Sequence, residues 1–558
     1  MLEKSQPVEL PDDYYLSNFH SLAGFVHNTY RDLLDSKESD WYQRLCDSPK
    51  FAQRLYVRLL MRKGPVFRLS RLNYVEIDDL EQAAKSLSDS ELAIIKPPLN
   101  LEQLLPVFTK PELLNILQLA AFKKKSRASI VEHLNTLNEP DRSCAVERLQ
   151  CADKWISLQG HGVWNLYTLC FFGNLYQDTS EFVLRDLGSV EYEAYDIKKE
   201  FRIFQTREQL DAHMCYFECA MLWKTIDKKS LPDIINILNL LPEPIEGDTH
   251  LVRRIDRLRN TIGRQLERIG NVDKALEVFA LSDRPPARER RVRMLLAQAE
   301  LSPAQAILAE MLDRPKNENE RQVALRLQKN LDKRLGKSVK RELRFRPDTS
   351  TLTLTQSADR VEIIARRFYS RLGTCSYCEN QLVNGVLGLF IWDILFYSLT
   401  EAFYNPFQSA PSDFYTTDFL ENRRELLDTR FEELDESLRF SARVVENFNN
   451  HHGKENPLVR WGGISYELLS LALKRIPATH WRIMFTRILA DSRENMTGFP
   501  DLVLFRDDDE FYEFIEIKGP GDTVQPNQLR WMQQFSENRI PYRVVNVRWA
   551  VSSPNVES

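Results

Sequence analysis

Residues 498–519 read GFPDLVLFRDDDEFYEFIEIKG. The stretch predicts a strand, a tight turn and a second strand. Residues 502–505 are apolar and partly β-branched, residues 506–510 form a charged turn, and residues 511–517 are again aromatic and β-branched. Asp501 opens the first strand, and Glu516 and Lys518 close the second. Side chains alternate along a strand, so Glu516 and Lys518 share one face while Ile515 and Ile517 take the other. Two carboxylates and a lysine therefore converge at the edge of a buried hairpin. Buried charges are costly unless something pairs with them. A divalent cation is the natural partner, because hard cations such as magnesium take carboxylate oxygens.

The order Pro-Asp, spacer, Glu-x-Lys resembles the PD-(D/E)xK nucleases. The dipeptide carries little by itself, since Pro-Asp pairs begin at Pro11, Pro140, Pro232, Pro347 and Pro500. Pro11-Asp12 is even followed by Asp35-Ser36-Lys37, but no apolar hairpin lies between them. Only Pro500-Asp501 has the strand context the chemistry needs. The other reading of the same residues is a structural hairpin closed by salt bridges.

Length and composition set bounds. A chain of 558 residues has room for three or four domains. With 43% hydrophobic and 28% charged residues it has ordinary globular composition. A net charge of −5 excludes a wholly basic nucleic-acid binder, so DNA contacts must use local patches. The eight scattered cysteines suit reduced thiols better than a disulfide framework. Cys375 and Cys378 have zinc-like spacing but no second pair. The start, MLEKSQPVELPDD, lacks the apolar segment of a signal peptide. The most apolar run, residues 386–399, is too short to span a bilayer and contains Asp393. These features predict a soluble cytoplasmic protein with no membrane partner.

Five regions follow along the chain. Residues 1–95 read as a helical, DNA-binding region, with amphipathic helices over 19–34 and 51–62. A basic break follows, carrying Arg62, Lys63 and Arg68. It is either a solvated turn or a contact to the DNA backbone. Residues 96–140 hold a helix–extended–helix pattern that resembles an SAP-type DNA-binding module. Thr109, Pro111 and Glu112 mark its first helix start. Lys123, Lys124, Lys125 and Arg127 cluster at the second, where backbone amides and cations suit phosphate. Residues 141–206 read as a helical connector. Residues 207–345 read as helix pairs resembling tetratricopeptide repeats, with a Gly270-Asn271 turn and with Ala275 and Phe279 at packing positions. Arg253 and Arg257, and Arg290 and Arg293, fall on common helix faces. A basic linker over 333–347 leads to an α/β domain, residues 346–558, with one long core helix over 382–404, a helix over 525–535 and a final strand over 542–549.

That last domain resembles the VRR-NUC branch of the PD-(D/E)xK superfamily, specifically the Fanconi-associated nuclease family. The carrying residues are Cys378-Glu379 through Trp392-Asp393 to Phe396, Gly463-Ile464-Ser465-Tyr466-Glu467, Pro500-Asp501, Glu516-Ile517-Lys518-Gly519-Pro520 and Gln528-Leu529-Arg530-Trp531. Patches upstream, at 62–77, the SAP-like segment and 203–205, extend the likeness over most of the chain. Two positions depart from the family pattern. Asn380 stands where a glycine usually follows the glutamate, and Met496 where an arginine usually precedes Pro-Asp, with Arg493 one turn earlier. No cysteine precedes Cys46, so the zinc finger of animal members has no counterpart here, which suggests a bacterial-type, nucleoid-associated member.

The resemblance implies a multidomain protein: largely α-helical N-terminal and repeat regions, then a restriction-endonuclease-like nuclease domain. It implies that Asp501, Glu516, the Ile517 carbonyl and Glu379, on a helix across the site, hold Mg2+ or Mn2+. It implies that Lys518 orients or activates water or neutralises the phosphorus under attack, and that Gln528, at the start of the flanking helix, either positions water or metal or only lies on the helix surface. It further implies a phosphodiesterase that acts on branched or 5′-flapped DNA, endonucleolytically and 5′-to-3′ exonucleolytically, in interstrand crosslink repair. A Holliday-junction resolvase, a restriction-like endonuclease and a non-catalytic helical-repeat scaffold remain the alternatives.

Overall fold

The structure is a computed structural model describing residues 11–550 except 65, 196, 340–344, 400–401, 417 and 509–510. Most of the segment read for a signal peptide, part of the basic linker and part of the hairpin turn therefore lie outside the described residues. The chain forms two compact units, Met1–Ser189 with Arg202–Met214, and Val190–Phe201 with Cys215–Ser558. Among the described residues no helix is long and apolar enough to cross a membrane.

In the first unit the helices Tyr14–Thr29, Ser36–Asp47 and Lys50–Leu60 bury Phe19, Leu22, Trp41, Leu55 and Tyr56. Asp35 is an N-cap. Its carboxylate accepts from the Glu38 amide at 2.8 Å, and the Glu38 carboxylate accepts from the Asp35 amide at 2.8 Å. Asp35-Ser36-Lys37 is thus a helix start and not the end of a strand, which disposes of the second Pro-Asp string. The sequence reading of 1–95 and 141–206 as helical needs a correction. Strands β1 (Val66–Arg68), β2 (Ala93–Ile95) and β3 (Trp155–Leu158) form an antiparallel sheet with β3 central. Strands this short, paired across long chain separations, leave no period to read.

Both helices read in the basic segment are present. Helix Lys110–Ile116 is opened by a Thr109–Glu112 capping box with Pro111 in the first turn. A single 3-10 turn, Ala120–Phe122, leads to helix Arg127–Asn135, which Ser126 caps.

The second unit contains helices that pack consecutively: Thr249–Arg268, Val272–Ala280, Ala287–Ala297, Leu301–Asp313 and Glu318–Arg334. Gly270 turns the chain at φ +82°, and Asn271 caps the next helix through the Lys274 amide. Ala275 and Phe279 are fully buried. Several arginines of these helices are engaged by carboxylates. Arg290 pairs with Glu267, Arg293 with Glu289 at 2.8 Å, and Arg288 with Glu320 at 2.6 Å.

The rest of this unit is a five-stranded mixed sheet of β4 (Thr349–Leu354), β5 (Gly373–Tyr377), β6 (Leu502–Arg506), β7 (Tyr512–Lys518) and β8 (Tyr542–Trp549), in the order β4-β8-β7-β6-β5. Strands β6 and β7 are the expected hairpin, and β8 the expected last strand. The sequence did not reveal β4 and β5. The hairpin is central, so both its faces are covered. Ile515 and Ile517 pack with Leu502, Leu504, Ala365 and Tyr369. Phe514, on the other face, packs with Val503, Phe505, Trp531 and Phe535. Parallel neighbours need a crossover, and helix Pro526–Glu537 supplies it between β7 and β8. The expected core helix over 382–404 is shorter. It runs Leu382–Phe390, with one further turn at Trp392–Leu395. Segment 456–464 seats against it where Gly385 and Gly388 leave no side chain. A Cβ at Gly385 would lie 1.9 Å from Ile464, and one at Gly388 2.7 Å from Leu458.

Candidate active site

Strand register assembles the site. Antiparallel β5 and β6 pair Tyr377 with Leu502, so the turn leaving β5 comes beside the residue entering β6. The Cys378 amide donates to the Asp501 carbonyl at 2.8 Å. Glu379 therefore lies on a turn ahead of the helix, correcting the reading that placed it on the helix itself. The Tyr377 hydroxyl donates to Glu379 Oε2, and Asn380 Nδ2 donates to Oε1 at 3.2 Å. Sequence reasoning missed both of these partners; the only signal was an asparagine where the family pattern has glycine.

The β6–β7 pairing brings the other acids together. Leu502 lies opposite Ile515, and the Ile517 amide donates to Asp501 Oδ2 at 2.8 Å. Lys518 Nζ lies 2.8 Å from Glu516 Oε1. Gln528, in the first turn of the crossover helix, donates through Nε2 to Glu516 Oε1 at 2.6 Å and accepts from Lys518 Nζ at 2.9 Å. The same Gln528 Oε1 accepts from the Gln525 amide at 2.9 Å. Helix capping and site geometry are thus served by one side chain.

This cluster is dry. Asp501, Glu516 and Lys518 are 7%, 1% and 8% exposed. Burial, then the Glu516 carboxylate, push Asp501 up to about 8, against the pull of the Ile517 amide. Glu516 is also raised by burial, with Lys518 opposing. Glu516 Oε2 is buried without a hydrogen-bond partner. Two buried acids that resist ionisation, one with an orphaned oxygen, fit a hard divalent cation. Among the described residues no three His, Cys, Asp or Glu side chains already stand as a metal cluster. Asp501 and Glu516 are accordingly the core of the fit, while Tyr377 and Asn380 engage the two carboxylate oxygens of Glu379.

The other candidates separate. Burial lifts the Cys375 thiol to about 12 and Cys378 well above its usual value, and Cys378 Sγ lies against the Pro500 carbonyl at 3.7 Å. Arg493 is exposed, and its guanidinium lies over the Tyr415 ring at 5.6 Å. Lys63, Lys123, Lys124 and Lys125 are exposed. Arg62 is exposed and donates to the Tyr74 hydroxyl at 2.9 Å. Arg127 uses part of its guanidinium on the Leu105 carbonyl at 2.7 Å. Arg68 is the exception among the basic candidates. It is 7% exposed and paired at 2.8 Å with both Asp153 and Glu112, so it braces the fold and offers no charge to a phosphate.

Acids at the adjoining ends of two central strands, with a lysine two residues on, define the class: a PD-(D/E)xK-type nuclease domain behind helical modules. A family model described as VRR-NUC domain matches residues 435–549, and one described as FAN1, HTH domain matches residues 13–93. The chain is 32% identical to the Fanconi-associated nuclease 1 homolog of Pseudomonas aeruginosa over 96% of each chain. It is 23% identical to the homolog of Arabidopsis thaliana, over 96% of this chain and 67% of that one. A crystal structure of paFAN1 bound to 5′-flap DNA with a 2-nucleotide flap and a gap superposes with a TM-score of 0.89 at 31% identity, covering 98% of this chain and all of that one. The chain belongs to the Fanconi-associated nuclease family and is a phosphodiester hydrolase. Membership implies dependence on a divalent metal.

Proposed function

We propose that the protein is a structure-selective DNA nuclease that cuts 5′-flapped and branched duplexes, endonucleolytically near the flap and exonucleolytically 5′ to 3′, in interstrand crosslink repair. The observation that carries this reading is the buried Asp501–Glu516–Lys518 cluster, bridged by Gln528, in a chain that follows paFAN1, the protein seen on flap DNA, over nearly its whole length. Acting on chromosomal DNA places it with the nucleoid.

Asp501, Glu516 and the Ile517 carbonyl, joined by Glu379 from the facing turn, would hold Mg2+ or Mn2+. Such an ion, when bound, lowers the pKa of its water and offsets charge on the phosphate under attack. Gln528 and Lys518 occupy Glu516 Oε1, leaving Oε2 for the cation. Gln528 also fixes the Lys518 ammonium, which orients the water or neutralises the phosphorane. The helices over 207–345 are read as tetratricopeptide-like repeats.

The decisive experiment compares a 5′-flapped duplex with a four-way junction in Mn2+, in Mg2+ and in excess EDTA. Cleavage of the flap, weak cutting of the junction and silence in EDTA are expected. Symmetric junction cleavage indicates a resolvase instead, and cutting in EDTA removes the metal from the mechanism.

Lys123, Lys124 and Lys125 project beside a helix N-terminus, a position suited to backbone phosphate and not to base reading. Replacing all three by alanine is expected to weaken flap binding and to flatten the dependence of log Kd on log salt by about 2 to 3 units. An unchanged slope in a fluorescence-anisotropy titration returns the cluster to the role of a solvated turn.

A further inference from the structure

Glu379 and Asp501 reach the site on different loops, the turn leaving β5 and the segment entering β6. Two asparagines tie these loops together. Asn380 has φ +52°, a left-handed conformation that asparagine tolerates. Its side chain reaches both ways. Nδ2 donates to Glu379 Oε1 at 3.2 Å, and Oδ1 accepts from the Phe499 amide, two residues before Asp501, at 3.1 Å. Asn384, 3% exposed in the following helix, then locks the same pair of loops. Its Nδ2 donates to the Asn380 carbonyl and to the Met496 carbonyl, each at 2.8 Å.

We propose that Asn380 is a positioning residue of this nuclease: its amide fixes the Glu379 carboxylate against the loop that carries Asp501, and so sets how tightly the two loops hold a divalent cation. The proposal rests on the reading of Glu379 and Asp501 as cation-holding residues. The backbone alone does not account for the side chain. Glycine satisfies a left-handed φ with less strain than asparagine, yet glycine offers neither the donor to Glu379 nor the acceptor for Phe499. The tether acts on orientation. With the amide in place, Glu379 is held at one oxygen by Tyr377 and at the other by Asn380, so few of its rotamers remain open. Partners that orient a ligand in this way are typically worth about 10- to 100-fold in metal affinity.

The test is a double-mutant cycle on the full chain, read by calorimetric titration with Mn2+ in the absence of DNA, with thermal melting alongside. Asn380→Gly keeps the backbone conformation and is expected to leave melting unchanged while weakening Mn2+ binding about 10-fold. Glu379→Gln is expected to weaken it at least as much. In the Glu379→Gln background, Asn380→Gly is expected to cost nothing further. Parental Mn2+ affinity in Asn380→Gly, with a loss in Glu379→Gln, overturns the tether and leaves the cation reading standing. An equal loss from Asn380→Gly in both backgrounds also overturns it, because the amide then acts without Glu379. Parental affinity in Glu379→Gln overturns the cation role of Glu379 and the tether with it.

Discussion

Asp501→Asn is expected to abolish cleavage of a 5′-flapped duplex, by about 10³-fold or more in kcat, while DNA binding and folding persist. The change is conservative where the fold is concerned. Asp501 Oδ2 accepts the Ile517 amide, and the asparagine carbonyl can accept the same hydrogen bond. Glu516 raises the proton affinity of Asp501, and an uncharged amide at 501 avoids that repulsion at any pH. What is lost is the anionic oxygen that takes part in holding the cation. The variant is therefore expected to melt no earlier than the parent in EDTA, to bind flap DNA with parental affinity, and to show no stabilisation by Mn2+. Parental cleavage rates in Mn2+ contradict the assignment of Asp501. A fall in flap affinity without a fall in single-turnover rate moves Asp501 from catalysis to DNA binding.

The hairpin that carries Asp501 was legible because its information is local. A charged turn between apolar runs fixes register, and register fixes which side chains meet. Gln528 was legible for the same reason, being a helix start ten residues beyond Lys518. The surroundings of Glu379 were not. Its position depends on β5, a five-residue edge strand whose sequence, GTCSY, has no apolar alternation. Only the pairing of Tyr377 with Leu502, more than a hundred residues apart, brings the turn to Asp501. The small sheet β1–β3 was hidden by the same physics. Arg68 shows the converse error: a cation in a basic break looks like a phosphate ligand until tertiary structure supplies Asp153 and Glu112. Charge density in sequence reports how many charges there are, and burial decides which remain free.

Metal-free protein is expected to lose stability as pH rises toward about 8, and divalent cations are expected to restore it. The sign follows from where the proton sits. In the folded chain burial keeps Asp501 protonated up to about 8, whereas the unfolded chain releases that proton near the ordinary aspartate value of 3.8. Between these limits the native state binds the extra proton, so its advantage is full below the lower limit and drains away as pH rises through the window. Each proton held in this way contributes a slope of up to about 1.4 kcal/mol per pH unit. Glu516, raised for the same reason, adds in the same direction. Other groups act differently. Asp13, held down to about 2 by Arg54, loses its contribution only in acid. His27, His161 and His480, lowered by burial, cost stability as pH falls. The difference between the parent and Asp501→Asn cancels these terms. Melting in EDTA at a series of pH values from about 5 to about 8 is therefore expected to bring the parent down relative to the variant. Excess Mn2+ or Mg2+ then replaces the proton on the acids, so stabilisation of the parent grows with pH and binding releases protons to buffer. A parent and variant whose melting curves run parallel across that range, with metal stabilisation independent of pH, show that Asp501 is already ionised in the free protein and that Lys518 alone neutralises the site.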